Sequence, residues 1–195
     1  ANEQYAFSIK YDSNFNFYLP KSLKNSQKGY LYLKELLSRA ENINDFDKLP
    51  IPLRVVATNL DTGQPTVFKS GDLAKVITAS TALPSIFDPV KIDDKHYIDG
   101  MVSRNFPVED AIDMGANIII GVNVGADLTD HTSATYNIFT TAEQLLAIQS
   151  ASTTDFQKKL TNILIEPDLK NFTSVDYDKT EEIVKTGEEA ARLKM

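Results

Sequence analysis

Cysteine and tryptophan are both missing from this sequence, and histidine occurs only twice, at His96 and His131. Without cysteine the chain has no disulfide, no thiolate nucleophile and no thiolate metal ligand. Neither histidine stands at a spacing that is typical of a metal site. Thiol chemistry is therefore excluded, and nothing in the histidine pattern indicates a metal centre.

Basic charge is scarce as well. The chain carries 20 Lys and Arg against 27 Asp and Glu, a formal net charge of -7. Nucleic acids and anionic lipid surfaces attract clustered Lys and Arg, so this composition argues against both as electrostatic partners. No stretch approaches the ~18 consecutive apolar residues of a membrane-spanning helix. The first residues, ANEQYAFSIK, lack the basic start and apolar core of a secretory signal peptide.

The amino-terminal segment has the pattern of a strand pair followed by a helix. Apolar and polar residues alternate over residues 4–19, which predicts two strands joined by a turn at YDSN. The stretch GYLYLKELLSRAEN predicts a helix over residues 29–41, on which the aromatic side chains of this segment are expected to pack. An apolar contact between two copies of the chain would use the same side chains. The loop NINDFDKLPIP predicts a boundary between an appendage or insertion, residues 1–50, and a main domain, residues 51–195.

The main domain alternates between short apolar runs and helical patterns. Strands are predicted in LRVVATNL and TVFKS, with a turn at DTGQP, and a hairpin is predicted around Asp93 and Asp94. NIIIGVNV and TNILIEP are typical of strands buried on both faces. Helices are predicted in GDLAKVITASTAL, in PVEDAIDMG between Pro107 and Gly115, and over residues 134–158 and 178–194. The predicted fold class is α/β, with a largely parallel sheet flanked by helices.

Asp99 and Gly100 follow the apolar run HYI directly. Aspartate is a poor strand former, and its burial is unfavourable without partners. An Asp-Gly pair is common in turns, and by itself it favours that interpretation. In α/β sheets, however, functional groups gather where strands end, so Asp99 is also a candidate for chemistry.

Several ordered segments decide between these interpretations. LPIPLRVVATNLDTGQPTVFKSG, ASTALPSIFDPV and YIDGMVSRNFPVEDAIDMGANIIIGVNV, followed by LIEPDL and GEEAARL, resemble the patatin-like phospholipase family from about residue 48 to residue 195. Within this family they resemble the patatin-like domains of bacterial autotransporter-type phospholipases. The resemblance implies hydrolysis of a phospholipid or other acyl ester by a Ser-Asp dyad, with no metal and no cofactor. It implies that Asp99 is the general base and that Gly100, Asn105 and Pro107 complete its motif.

The sequence departs from the family pattern at two points. Met101 stands where the family usually has Gly or Ala. The serine of the G-x-S-x-G elbow is missing, because the one stretch with elbow spacing, Gly121 to Gly125, has Asn123 at its centre. The glycine-rich oxyanion loop is absent too. We therefore expect that the chain is the carboxy-terminal part of such a domain, with an incomplete sheet and no esterase activity of its own.

Partners and location follow from the same expectation. We expect the chain to pair with the missing amino-terminal part, or with a second copy that covers the exposed edge of its incomplete sheet. The protein would be bacterial, and either cytoplasmic or, if it is part of an autotransporter, at the cell surface or secreted. A catalytically inactive module that binds lipid or protein is the main alternative. A nucleotide-binding domain is disfavoured because no glycine-rich phosphate loop precedes a helix.

Several residues have ordinary structural interpretations. Asn105 can cap a helix instead of holding the Asp99 loop. Ser80 and Thr81 are expected to serve helix packing, since no base neighbours them. Asp93 and Asp94 lack the spacing of a cation site.

Overall fold

A computed structural model of the chain describes residues 10–11, 17–18, 26–84, 86–125, 138–170, 172 and 176–195. The chain divides into two compact units, Ala1–Ser103 and Arg104–Met195. In chain order the elements are β1 (Lys10–Tyr11), β2 (Phe17–Tyr18), α1 (Gln27–Leu36), β3 (Val55–Asn59), β4 (Pro65–Phe68), α2 (Leu73–Ser80), β5 (Val90–Ile92), β6 (Lys95–Asp99), α3 (Met101–Arg104), α4 (Val108–Asp113), β7 (Ile120–Val122), α5 (Ile138–Lys158), β8 (Ile163–Ile165) and α6 (Thr180–Arg192). Single 3-10 turns lie at Ser38–Ala40, Phe46–Lys48 and Tyr177–Lys179.

The first unit is organised around a four-stranded sheet with the order β4-β3-β6-β5. Each neighbouring pair in this sheet is antiparallel. The prediction of a largely parallel sheet is wrong for these strands. The reason is that β3 and β4, and likewise β5 and β6, are joined by short turns. A short turn reverses the direction of the chain, so the two strands that it joins pair antiparallel. Parallel pairing within the described residues is found between β7 and β8, which are joined through α5. The mixed α/β class is confirmed, with the two sheet types in different units.

Asp93 and Asp94 form the turn of the hairpin that joins β5 to β6. Both have left-handed backbone angles, with φ of 46° and 62°. Two successive residues with positive φ match the twist of antiparallel strands, and aspartate tolerates this conformation better than most residues. The turn pairs Ile92 with Lys95, so the predicted hairpin is confirmed.

The core of the first unit forms between β3 and α2. All five residues of β3 are buried. Phe46, from the segment predicted as a plain loop, is completely buried and packs with Val55, Leu73 and Val76. Its backbone N–H donates to the carbonyl of Lys69 at 2.9 Å, which fixes the 3-10 turn against the sheet edge. The predicted domain boundary near residue 50 stays a prediction. Phe46 lies before this boundary, but it packs into the core formed by residues after it.

The helices of the first unit begin and end near the predicted positions. The carboxylate of Asp72 accepts a hydrogen bond from the backbone N–H of Lys75 at 3.1 Å, and so caps the first turn of α2. The predicted helix over 29–41 becomes α1 followed by the 3-10 turn Ser38–Ala40. In the described part of the amino-terminal segment, Lys10 pairs with Tyr18 and Tyr11 with Phe17, in agreement with a strand pair. The turn predicted at YDSN lies outside the described residues.

The second unit packs one face of β7 and leaves the other open. Ile119 is 8% exposed and packs with Phe106 and Val108. Gly121 allows this approach, because a Cβ atom there would lie 2.5 Å from the Phe106 ring. On the opposite face, apolar side chains at alternate positions are at least half exposed: Ile118 71%, Ile120 53%, Val122 50% and Val124 66%. Burial of this strand on both faces, as predicted, is wrong for the described residues.

The remaining helices of the second unit follow the predicted pattern. Gly115 has φ of 88° directly after α4, which makes it the C-terminal glycine that the sequence predicts. The first residues of the predicted helix 134–158 lie outside the described residues. Within the described residues, α5 runs from Ile138 to Lys158. Within the described residues, no helix combines the length and apolar character needed to cross a bilayer.

Phe46→Ala is expected to lower the free energy of unfolding by about 3 to 5 kcal/mol, because it removes a buried ring and leaves a cavity. Ile51→Ala, at a side chain that is 82% exposed, is the matched control and is expected to change stability by less than about 0.5 kcal/mol. Urea denaturation followed by circular dichroism measures both. Equal stability of the two variants would show that Phe46 is not part of the core.

Candidate functional site

Asp99 is the last residue of β6, opposite Ala57 on β3. The two residues before it, Tyr97 and Ile98, are 6% and 7% exposed, and Asp99 itself is half-buried. The carboxylate therefore stands where an apolar strand ends, at the rim of the core. This is the position that the sequence predicts for it.

The carboxylate is held by the main chain that follows it. Its Oδ1 atom accepts a hydrogen bond from the backbone N–H of Met101 at 2.9 Å. Burial raises the pKa of the Asp99 carboxyl above its ordinary value, and the Met101 N–H opposes this by favouring the charged form. No lysine or arginine forms an ion pair with Asp99 within the described residues. Its raised pKa therefore reflects desolvation, and a carboxylate of raised pKa is a stronger proton acceptor.

The backbone of Asp99 is anchored by groups from two other segments. Its N–H donates to the carbonyl of Ala82 at 3.0 Å. Its own carbonyl accepts a hydrogen bond from the Thr58 hydroxyl at 2.8 Å, and the Ser103 hydroxyl lies 2.8 Å from that of Thr58. Sequence reasoning missed Thr58 and Ser103. The available signal was a hydroxyl residue inside the otherwise apolar run VVAT.

Gly100 is required by close packing against β3. A Cβ atom on residue 100 would lie 2.4 Å from the carbonyl oxygen of Val56 and 3.0 Å from its carbonyl carbon. Gly100 is not among the glycines with positive φ, so its need is for space and not for an unusual turn.

The two hydroxyl residues near the end of α2 are committed to packing. Ser80 donates its hydroxyl to the carbonyl of Val56 at 2.6 Å, and Thr81 donates to the carbonyl of Ile77 at 3.0 Å. Both bonds are to main-chain oxygens and neither involves a base. This agrees with their interpretation as structural residues.

Asn105 and Pro107 lie in the second unit. Pro107 occupies the cap position of α4, one residue before the helix, and no side-chain hydrogen bond caps this described helix end. Capping by Asn105 is therefore not supported. Its side-chain amide lies near Gly125, where a Cβ atom would come within 3.0 Å of Nδ2. The roles of Asn105 and Pro107 toward Asp99 stay predictions.

The stretch from Gly121 to Gly125 does not have the geometry of a nucleophile elbow. Asn123 is 9% exposed, and its Nδ2 donates to Glu166 at 3.2 Å while its Oδ1 accepts from the Gly125 N–H at 3.2 Å. Glu166 also pairs with Lys158 at 2.8 Å. Asn123 is thus a structural residue at the end of β7, as the sequence indicates.

Other polar clusters in the described part of the chain offer no metal site. Within those residues, no group of three or more His, Asp or Glu side chains is placed to hold an ion. Asp94 pairs with Lys91 at 2.7 Å. An open depression of about 500 Å³ in the second unit is lined by Arg104, Glu109, Ile112, Asp113, Phe156 and Leu160, none of which belongs to the Asp99 segment.

Fold and site together define a mixed α/β protein with a half-buried carboxylate at a strand end, and comparison with known proteins identifies the family. The family described as patatin-like phospholipase matches residues 3–112, more than half of the 195 residues. The chain therefore belongs to the patatin-like phospholipase family. The match includes Asp99, Gly100, Asn105 and Pro107.

Curated relatives are similar over part of their length. Uncharacterized NTE family proteins of Mycobacterium bovis and Mycobacterium tuberculosis are each 29% identical over 102 residues, which cover 51% of this chain and 28% of the relative. The protein named lysophospholipase NTE1 of Meyerozyma guilliermondii is 22% identical over 156 residues, which cover 67% of this chain and 11% of the relative. The chain thus spans well under a third of the length of these relatives.

Gly100→Ala is expected to lower the free energy of unfolding by about 1 to 3 kcal/mol, because the new Cβ meets a main-chain oxygen that cannot yield freely. Gly29→Ala is the matched control, since Gly29 lies in α1 with open space around it. That variant is expected to gain up to about 1 kcal/mol from helix propensity. Urea denaturation measures both changes, and a Gly100→Ala variant as stable as the parent would contradict the close approach.

Asp99→Asn is expected to gain stability relative to the parent as pH rises. Because folding raises the pKa of the Asp99 carboxyl, the folded state binds the proton more tightly than the unfolded chain. The contribution of this tighter proton binding to the stability of the folded parent is fully present below the ordinary pKa of aspartate. It is lost as pH rises through the raised pKa of Asp99. Asparagine does not titrate, so the parent loses stability relative to Asp99→Asn between about pH 3 and about pH 7.

Denaturation of parent and variant at both pH values measures this difference. Asp61→Asn, at an exposed turn residue, is the control for loss of one negative charge. If Asp99→Asn and Asp61→Asn change with pH in the same way, burial of the Asp99 carboxyl has no energetic consequence.

Proposed function

We propose that this chain contributes the general base, Asp99, to a lipid acyl hydrolase whose serine nucleophile lies outside these 195 residues. The observation that carries the proposal is the state of the Asp99 carboxyl. It is half-buried at a strand end, its pKa is raised by burial, and a main-chain N–H orients it. The family membership of the segment that includes it gives the class of reaction.

The geometry of the carboxylate suits proton transfer. Among the described residues Oδ1 accepts the Met101 N–H, and this leaves Oδ2 to receive a proton. In the proposed reaction Asp99 takes the proton of the serine hydroxyl while the serine oxygen attacks the ester carbonyl carbon. Asp99 returns this proton to the departing alcohol oxygen as the ester C–O bond breaks, and an acyl-serine remains. Asp99 then accepts a proton from water, whose oxygen attacks the acyl carbon. That proton passes to the serine oxygen as the bond to the acyl carbon breaks and the fatty acid leaves.

The serines nearest to Asp99 in the described chain are poor candidates for the nucleophile. Ser80 donates its hydroxyl to the Val56 carbonyl, and the Ser103 hydroxyl is bonded to Thr58. Neither is hydrogen-bonded to the Asp99 carboxylate, which an activated nucleophile requires. G-x-S-x-G does not occur in the sequence. These facts favour a nucleophile supplied from elsewhere in the protein.

Met101 does not weigh against an active site. Its contribution to Asp99 is a backbone N–H, which any residue other than proline supplies. The departure from Gly or Ala at this position therefore leaves the carboxylate contact intact. Its side chain is partly exposed and is free to contact an acyl chain.

Substrate and partner follow from the family and are part of the proposal. A relative named lysophospholipase supports an acyl ester of a phospholipid or lysophospholipid as substrate. No metal or cofactor is needed for the steps above. The part of the protein that carries the serine is the partner required for activity.

The test is hydrolysis of a chromogenic short-chain acyl ester by the full-length protein and by this chain alone. The full-length protein is expected to turn over, and Asp99→Asn is expected to lower kcat about 10²- to 10⁴-fold. Asp61→Asn is the matched control and is expected to retain parental activity. The chain alone is expected to be inactive.

Two results would contradict the proposal. Turnover by the chain alone that is lost in Asp99→Asn would show that the nucleophile lies within these residues. A full-length protein without activity on acyl esters or lysophospholipids, but with measurable lipid binding, would favour an inactive binding module.

A further inference from the structure

We propose that Thr58 is the positioning residue of the site, holding the Asp99 carboxylate in its orientation through the Asp99 main chain. The proposal rests on the proposed function for its catalytic meaning, but its geometry stands by itself. Thr58 lies on β3, next to the residue that pairs with Asp99, and its hydroxyl donates to the Asp99 carbonyl at 2.8 Å.

The hydrogen-bond directions around Thr58 follow from its single proton. Because that proton goes to the Asp99 carbonyl, the contact of 2.8 Å between the Thr58 and Ser103 hydroxyls must be donated by Ser103. The result is a directed chain in which Ser103 donates to Thr58 and Thr58 donates to Asp99. Donors arranged in this way polarise one another, which strengthens the last bond in the chain.

The burial of Thr58 indicates that its hydroxyl is there for this bond. The residue is 1% exposed in a strand that otherwise contributes Val55, Val56 and Ala57 to the core. At such a position valine has the same shape and avoids the desolvation of a hydroxyl. A buried hydroxyl is stable only if it is bonded, and its bond goes to the residue that carries the carboxylate.

The Asp99 carbonyl influences the carboxylate through two successive peptide units, Asp99–Gly100 and Gly100–Met101. The carbonyl oxygen belongs to the Asp99–Gly100 peptide, which leads directly to the Met101 N–H that holds Oδ1. The N–H of Asp99 is fixed by Ala82 on the other side. The N–H of the same peptide, on Gly100, donates to the Ser80 carbonyl at 3.4 Å, so the Thr58 bond of 2.8 Å is the shorter of the two that hold this peptide. Loss of the Thr58 hydroxyl is therefore expected to let the peptide shift and to weaken the contact between the Met101 N–H and Oδ1. Thr58 is thus a positioning residue that does not touch the carboxylate itself.

The experiment compares three variants of this chain. Thr58→Val removes the hydroxyl and keeps the shape, and Thr58→Ser keeps the hydroxyl. Thr78→Val is the matched control, because Thr78 is also buried in the first unit and donates to the carbonyl of Ala74 at 2.8 Å, within α2. The readout is the titration of the Asp99 carboxyl, followed by its ¹³C resonance in an NMR pH series.

The Asp99 titration reports on this geometry because, among the described residues, its pKa is raised by burial and lowered by the Met101 N–H. Loss of the Met101 bond removes the influence that lowers the pKa. Thr58→Val is therefore expected to move the titration midpoint upward, while Thr58→Ser and Thr78→Val stay at the parental midpoint. An unchanged or lower midpoint in Thr58→Val would overturn the proposal. So would an equal rise in Thr78→Val.

If Thr58→Val does not fold, Ser103→Ala replaces it, because this partly exposed residue is the outer donor of the same chain. Its expected effect is a smaller rise of the Asp99 midpoint. No rise would overturn the proposal.

Kinetics of the full-length protein separate this proposal from the function itself. If the protein hydrolyses acyl esters, Thr58→Val is expected to lower kcat about tenfold or more with little change in KM, and Thr58→Ser is expected to restore it. A fully active Thr58→Val protein would refute the positioning role and leave the hydrolase in place. An inactive parent whose Asp99 midpoint still rises in Thr58→Val would refute the function and leave Thr58 as the residue that orients Asp99.

Discussion

The carbonyl group of Val56 is the point on which the arrangement around Asp99 depends. It accepts the Ser80 hydroxyl from α2 at 2.6 Å, and it lies where any side chain on residue 100 would have to be. Helix, central strand and the end of β6 therefore meet at one main-chain oxygen. Because a backbone carbonyl in a buried strand cannot move independently of the sheet, the position of residue 100 is fixed by the core. The chain directly after Asp99 is thereby anchored to the core.

The position of the Asp99 carboxylate lowers the stability of the fold. Asp99 is half-buried without a cationic partner among the described residues, so its charged form is less stable than in water. A protein selected for stability alone would place an uncharged residue at this position. Carboxylates kept in such surroundings are common where a proton must be accepted, because desolvation raises their affinity for it. The stability lost at Asp99 is offset by the tightly packed strand and helix that flank it.

The sequence predicted the features that depend on neighbouring residues and missed those that depend on distant ones. The Asp93–Asp94 hairpin and the Gly115 helix end were both predictable, because each is decided within a few residues. The direction in which β3 pairs with β6 was not, since these strands are far apart in the chain and an apolar run is compatible with either direction until its partner is known.

Burial was the second property that local pattern could not decide. The segment around Phe46 has the composition of a loop, yet its ring is buried in a cluster that includes Leu73 and Val76, which lie far along the chain. Similarly, the contact between Thr58 and Asp99 joins residues 41 positions apart. The candidate base was identifiable from its motif and strand-end position, whereas the groups that orient it required coordinates.

The two-residue turn at Asp93 and Asp94 has a consequence beyond reversing the chain. Side chains alternate between the two faces of a strand, so the number of residues between the turn and Asp99 decides from which face the carboxylate emerges. With the register that pairs Val90 with Tyr97, Asp99 shares its face with Tyr97. A single inserted residue absorbed by sliding β6 along β5 would send the carboxylate to the opposite face, whereas two inserted residues would restore it. Whether the number of residues between the turn and Asp99 is even or odd therefore decides on which face of the sheet the carboxylate lies.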